Sequence, residues 1–245
     1  MKVTIEYMLN LATSLMMERG LSEEEAKMVN EHLLEAELSG KPSHGFMRIP
    51  RICERLESMK LGEITITRES AVSAVIDGGN KPGFVVAYKA MQIAVEKAKE
   101  HHLSVVGGFN TDNVGIVGFY LRAIASMGFI GIMTANSPAK IPPWGGVEPV
   151  MGTNPLAIGI PTRNEPIVLD FASSKVTFGD VLLGAKLGKQ FEEGILIDQD
   201  GKPTTDPREV RSGGIGAINA IAGHKGAGLA LMLEILAGPL VNAKG

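Results

Sequence analysis

The sequence predicts an α/β fold, a mixed sheet preceded by a small N-terminal helical unit. Residues 1–62 keep helical periodicity throughout. From residue 63 to 245, short β-prone runs alternate with helical ones. The strand spacing is uneven, with two runs close together across residues 161–166, which calls for a mixed sheet.

Residues 4–19 carry apolar side chains at helical spacing and stop at Gly20, a natural C-cap. Ser22-Glu23-Glu24-Glu25 reads as a capping box that opens a second helix running to Gly40. His32 falls on the charged side of that helix and reads as solvated. Pro42-Ser43 opens a further helical segment carrying His44, Met47, Arg48, Ile52, Arg55 and Leu56. Residues 71–76 read as a strand ending in the turn Asp77-Gly78-Gly79-Asn80, and a helix follows from about residue 84 to 100. His101 and His102 close that helix, where cations suit the dipole. Strand-like runs recur at 103–106, 129–134, 156–160 and 167–169, with helical patterns at 116–127 and 176–187. Residues 195–198 and the turn at Asp200-Gly201 suggest a hairpin or an edge excursion. The same stretch lacks the Glu that a calcium loop needs at its twelfth position. Residues 227–236 are too few to span a bilayer, include Glu234, and read as a buried helix.

At 245 residues the chain can bury a sizeable core, and 44% apolar with 21% charged residues is a globular composition. A net charge of −3 and 5% aromatics argue against a nucleic-acid partner. Cys53 is the single cysteine, which excludes an internal disulfide and a cysteine zinc cage and fits a reducing compartment; no metal site is expected. Glu6, Asn10 and Glu18 interrupt the first twenty residues, so no secretory signal is read and a cytoplasmic protein without a membrane partner is expected.

The sequence has no G-x-G-x-x-G after a strand, no P-loop, no H-E-x-x-H and no G-x-S-x-G. His44 with Arg48 four residues on would share a helix face, a histidine beside a guanidinium suited to a carboxylate substrate; the alternative is an ordinary histidine. The Pro- and Gly-rich loop at residues 136–146, with Trp144, is either a stiff ligand loop or a rigid turn. Thr153 and Asn154 add short polar groups. His224 and Lys225 among glycines open the late helix, as an anion site or for tight packing. Asp170, Ser173 and Ser174 end a strand, either to hold a ribose or to cap a helix. A dehydrogenase fits these residues, as do other enzymes or a ligand-binding protein.

These residues resemble one family, the malate/L-lactate dehydrogenases distinct from the Rossmann-type enzymes. The resemblance lies in Ser43-His44-Gly45 with Arg48, Pro142-Pro143-Trp144-Gly145-Gly146, Gly152-Thr153-Asn154-Pro155, Leu169-Asp170-Phe171-Ala172-Ser173-Ser174, Asp200-Gly201-Lys202-Pro203-Thr204-Thr205-Asp206-Pro207 and Gly223-His224-Lys225-Gly226, in family order across nearly the whole chain. It implies a non-Rossmann nicotinamide-binding fold, a mixed sheet with helices on both faces. It also implies NAD or NADP as cofactor, a small 2-hydroxy/2-oxo acid as substrate, and a homodimer with its active site near the interface. It assigns proton transfer to His44 and the substrate carboxylate to Arg48, with Asn113, Thr153 and Asn154 on the substrate side. Cofactor contacts fall on Ser137, Asp170, Phe171, Ala172, Ser173, Ser174, His224 and Lys225.

The sequence departs from the family in two ways. Many relatives place a histidine where this chain has Asn113, which can hydrogen-bond a substrate but cannot shuttle a proton at neutral pH. Relatives also continue well past the position of Gly245, so the α/β domain is expected to be cut short, with apolar surface left uncovered. Both departures keep a second reading open, a non-catalytic nucleotide-binding or interaction protein on the same fold.

Overall fold

The computed structural model describes residues 3–210 and 216–243; Met1 and Gly245, the outer limits of the two expected domains, lie outside the described residues. The chain forms two compact units, Met1–Phe129 and Ile130–Gly245.

The first unit runs α1 (Ile5–Met17), α2 (Glu23–Leu38), two short 3-10 turns, α3 (Ile49–Ser58), β1 (Thr65–Glu69), β2 (Ser73–Asp77), α4 (Gly83–His101), β3 (Val105–Phe109) and α5 (Val117–Ser126). Thr4 caps α1 through the Tyr7 N–H, and the capping box of α2 forms in both directions between Ser22 and Glu25. Glu25 also pairs with Lys81, which ties the start of α2 to the turn after β2. Buried Asn30 donates to the Leu9 carbonyl at 3.0 Å and to Thr13 Oγ1 at 2.7 Å, fixing α2 against α1. The chain divides after Phe129 and not at residue 62, because the N-terminal helices share a core with α4. Met16, Leu33 and Ile52 cluster with Phe84 and Val85. β2 pairs antiparallel with β1 and parallel with β3, so this sheet is mixed as expected. β1 has no counterpart among the sequence-predicted strands. All five of its residues are exposed, so no apolar alternation marks it.

The second unit contains β4 (Gly131–Thr134), β5 (Pro155–Ile160) and β6 (Ile167–Ala172) in one antiparallel sheet. A small antiparallel sheet of β7 (Leu196–Ile197), β8 (Pro203–Thr204) and β9 (Ala217–Ile218) contains the expected hairpin. Asp198 Oδ1 accepts the N–H groups of Asp200 and Lys202 in its turn. Helix α6 (Phe178–Leu187) starts on a second capping box, Thr177 with Asp180. Helix α7 (His224–Ala237) buries Gly226, Ala227, Ala230 and Leu233, of which Ala227 and Ala230 join Ile141, Met151 and Ala220 in one cluster. The sequence reading of α7 as a wholly buried helix does not hold. One stripe packs, while Leu231, Met232, Ile235 and Leu236 face out. With the turn that follows, residues 224–241 are also long and apolar enough to cross a membrane by length and composition, which residues 227–236 alone are not.

His32 is the clearest correction in the first unit. The ring is 1% exposed, packed against Phe84, Phe119 and Tyr120. Its Nε2 accepts the Ile116 N–H at 2.7 Å. Gly115 leaves it room: with φ +76°, a Cβ there would stand 2.1 Å from that nitrogen. A helical-wheel argument sees the glutamates around His32 but not the aromatic wall brought by α4 and α5.

Burial, reinforced by the charge of His44, holds the His32 pKa at about 3 against an ordinary 6.5. Below pH 6.5 the unfolded chain binds a proton that the folded ring refuses until about pH 3. Stability from the neutral ring is therefore complete above pH 6.5 and is lost as pH falls, by on the order of 5 kcal/mol in total. Urea unfolding across this range should show a shallower acid decline in His32→Gln than in the parent chain.

Candidate functional site

In the first unit, Ser43 joins the two sequence-predicted groups. Its hydroxyl contacts His44 Nδ1 at 3.1 Å and its carbonyl accepts Arg48 Nε at 2.7 Å. The two side chains do not share a single helix face, as the i, i+4 spacing suggested. His44 ends one 3-10 turn (Pro42–His44) and Arg48 ends the next (Phe46–Arg48). Gly45 breaks the helix between them with φ −90° and ψ −149°. A side chain there would collide with Glu37, whose carboxylate accepts the Phe46 N–H at 3.2 Å. Burial first, and then Arg51, lowers the Arg48 pKa; a guanidinium starts so high that it remains charged.

Asn113 is exposed, and its Oδ1 accepts the Gly115 N–H at 2.9 Å, a turn within its own loop. Its neighbour Asp112 is more deeply placed. Asp112 Oδ1 accepts the Gly83 N–H at the start of α4 at 2.8 Å, and Oδ2 lies 3.5 Å from Arg55 Nε. Burial raises the Asp112 pKa against the opposing pull of these partners.

In the second unit, Ser137, Thr153 and Asn154 do come together. Ser137 Oγ accepts the Thr153 N–H at 3.0 Å and lies 3.3 Å from Thr153 Oγ1. Asn154 is 0% exposed. Its Oδ1 accepts the Ser137 N–H, and its Nδ2 donates to the Ala230 carbonyl and to Glu234 Oε2 at 2.7 Å. The amide is committed to holding the loops, so Asn154 positions Ser137 and Thr153 and presents no polar atom to solvent. Glu234, noted in the sequence only as a charge in an apolar helix, completes this junction by accepting the Gly152 N–H at 3.0 Å and Asn136 Nδ2 at 3.3 Å. Gly152 is obligatory there, since a Cβ would fall 2.2 Å from the Ser137 carbonyl.

At the end of β6, Phe171, Ala172 and Ser174 line an open cavity of about 390 Å³ together with Lys175, Thr177 and Asp180. Ser173 is buried, its Oγ without a hydrogen-bond partner among the described residues. Asp170 precedes them on the strand, half-buried. His224 and Lys225 are exposed in the first turn of α7, and the edge of Trp144 packs on His224 with ring centroids 6.0 Å apart. Sequence reasoning also missed Lys140, whose ammonium sits 4.5 Å over the Phe178 ring with its pKa lowered by burial. Only its place in the Pro- and Gly-rich loop could have drawn attention to it.

Removing the Glu234 carboxylate strands the Gly152 N–H and the Asn154 amide. Glu234→Ala should lower unfolding free energy by about 2–4 kcal/mol, and Glu234→Gln, which keeps one acceptor, by clearly less. Chemical denaturation followed by the fluorescence of Trp144 reads both.

A family model described as malate/L-lactate dehydrogenase matches residues 3–244. The malate/(S)-sulfolactate dehydrogenase of Methanothermus fervidus is 40% identical over 228 residues, covering 92% of this chain and 66% of that protein. The L-sulfolactate dehydrogenase of Methanothermobacter thermautotrophicus is 37% identical over 99% of this chain and 71% of its own length. The solved structure of sulfolactate dehydrogenase from Methanocaldococcus jannaschii superposes with a TM-score of 0.89 at 34% identity, covering 100% of this chain and 71% of that one. The chain thus spans about two thirds of the length of the curated relatives it matches. It belongs to the malate/L-lactate dehydrogenase family.

Proposed function

We propose that this chain belongs to an NAD- or NADP-dependent oxidoreductase that interconverts a small 2-hydroxy acid and its 2-oxo acid by hydride transfer. The observation that carries this reading is the Ser43 junction, which holds a titratable ring and a guanidinium at fixed positions on one short segment. Such a pair suits a carbonyl adjacent to a carboxylate. Arg48, held at Nε, offers its terminal nitrogens as a fork to the carboxylate and so orients the neighbouring carbonyl. His44, entering protonated, gives the proton on Nε2, the ring nitrogen opposite the one at Ser43, to the carbonyl oxygen as that oxygen gains charge. In the oxidative direction the same nitrogen takes the hydroxyl proton. Asn113 and Thr153 are assigned to the substrate as hydrogen-bonding groups.

The residues of the second unit fit a nicotinamide cofactor. An orphaned Ser173 hydroxyl and the cavity beside Phe171, Ala172 and Ser174 offer a polar recess. Asp170 is a natural acceptor for a ribose hydroxyl. His224 and Lys225 at the start of a 14-residue helix suit a phosphate. Ser137 completes the set. The bound cofactor supplies the hydride. A malate- or lactate-type acid belongs to the same reading, supported by the family's named dehydrogenases, and the reading includes a homodimer and a cytoplasmic setting.

Purified protein mixed with NADH or NADPH and a panel of 2-oxo acids should consume the reduced cofactor with at least one acid, read by its absorbance. His44→Ala should lower that turnover about 100-fold. Cofactor binding without turnover of any acid would replace this reading with that of a non-catalytic nucleotide-binding protein.

A further inference from the structure

Trp144 sits between two prolines and two glycines, Pro142-Pro143 before it and Gly145-Gly146 after it. The base of this loop is closed by a bridge between Ile141 and Met151, both buried. Its tip turns where the Gly146 N–H donates to the Pro143 carbonyl at 2.9 Å. The prolines fix φ on the approach, so the indole is presented from a stiff support. Part of the ring lies over Gly223, where a Cβ would stand 3.1 Å from Cη2 and Cζ3. With φ +62°, Gly223 is also a position where any other residue is strained. His224 meets the ring with an angle of 66° between planes. Even with these neighbours Trp144 is 69% exposed. A tryptophan that serves packing alone buries its large apolar surface. Here stiffness and exposure occur together, beside the exposed His224 and Lys225 at the start of α7.

We propose that Trp144 is a further cofactor contact, a shelf on which one planar base of the dinucleotide stacks beside the phosphate contact of His224 and Lys225. This rests on the cofactor reading of those two residues. Adenine and nicotinamide are both planar heteroaromatic rings, each one ribose away from the pyrophosphate they share. A shelf next to a phosphate contact is placed to receive one of them. Stacking on an indole needs only a flat π-face, and a preset ring loses little freedom when the base arrives.

The test reads binding and needs no turnover. Emission from Trp144, the chain's single tryptophan, is followed during titration with NADH, adenosine monophosphate, nicotinamide mononucleotide and inorganic pyrophosphate. Calorimetry repeats the titrations on Trp144→Phe, Trp144→Leu and Trp144→Ala. One of the two mononucleotides should quench the emission more than pyrophosphate does, and that one names the stacked ring. Trp144→Ala and Trp144→Leu should each weaken NADH and that mononucleotide about tenfold, while Trp144→Phe keeps most of the affinity. Pyrophosphate should not distinguish the variants. NADH binding that is equal in the parent and Trp144→Ala overturns the shelf and leaves the cofactor reading standing. A loss that Trp144→Leu restores, or one that pyrophosphate shares, makes Trp144 a packing support for His224 and also overturns it. So does a Trp144→Ala variant that changes the oligomeric state in sedimentation with nucleotide affinity unchanged, which gives the ring to a second copy of the chain. If the parent does not bind NADH, the cofactor reading fails separately and the mononucleotides decide. Binding of either that depends on Trp144 supports the shelf, and binding of neither overturns it.

Discussion

A backbone N–H buried at the base of a loop must find an acceptor, and both units meet this requirement with a side chain from a helix. In the first unit the acceptor is His32 Nε2, which takes the Ile116 N–H beneath the loop that carries Asp112 and Asn113. In the second it is Glu234, which takes the Gly152 N–H beneath the residues that set Ser137 and Thr153. Leaving such a donor unmet costs about 1–3 kcal/mol, a large part of a domain's net stability. In each case a glycine lies under or beside the acceptor, since Gly115 and Gly152 have no space for a Cβ. The loops with candidate chemistry are thus fixed from below by groups that do none of it.

The same requirement explains what was legible in the sequence. Local devices were readable because their partners are close in the chain. Ser22 and Glu25 form the capping box that their spacing announces, and the Asp198 turn closes where Asp200-Gly201 stands. His44 and Arg48 were found together, but the geometry assigned to them assumed a continuous helix. Gly45 breaks it, and what unites the pair is Ser43 between them. β1 escaped because a fully exposed strand has no apolar rhythm. His32 and Glu234 escaped because their partners lie 84 and 82 residues away. Periodicity describes a residue's own element and is silent about the wall that arrives from another.

Family resemblance filled part of that gap, though not evenly. It assigned Thr153 and Asn154 to the substrate and Ser137 to the cofactor, and the structure brings the three together and separates their tasks. Asn154 spends every side-chain polar atom on the loop junction, while Ser137 and Thr153 are only half-buried. A motif records which residues occur together. It does not distinguish a group that meets a ligand from one that holds such a group in place.

The charge distribution around α3 follows from the same separation of tasks. The loop after β3 would carry a histidine in many relatives; here it carries Asn113, whose amide closes a turn on Gly115, and beside it Asp112, which stands 3.5 Å from Arg55. With Asn113 there, the proton transfer of the proposed reaction rests on His44. A carboxylate held against Arg55 changes something else: it lowers the net positive charge around α3 without cancelling it. Arginines at the three- and four-residue spacings of Arg48, Arg51 and Arg55, with no counter-charge, would repel one another along a helix, and one carboxylate shared between Arg55 and the start of α4 offsets that repulsion.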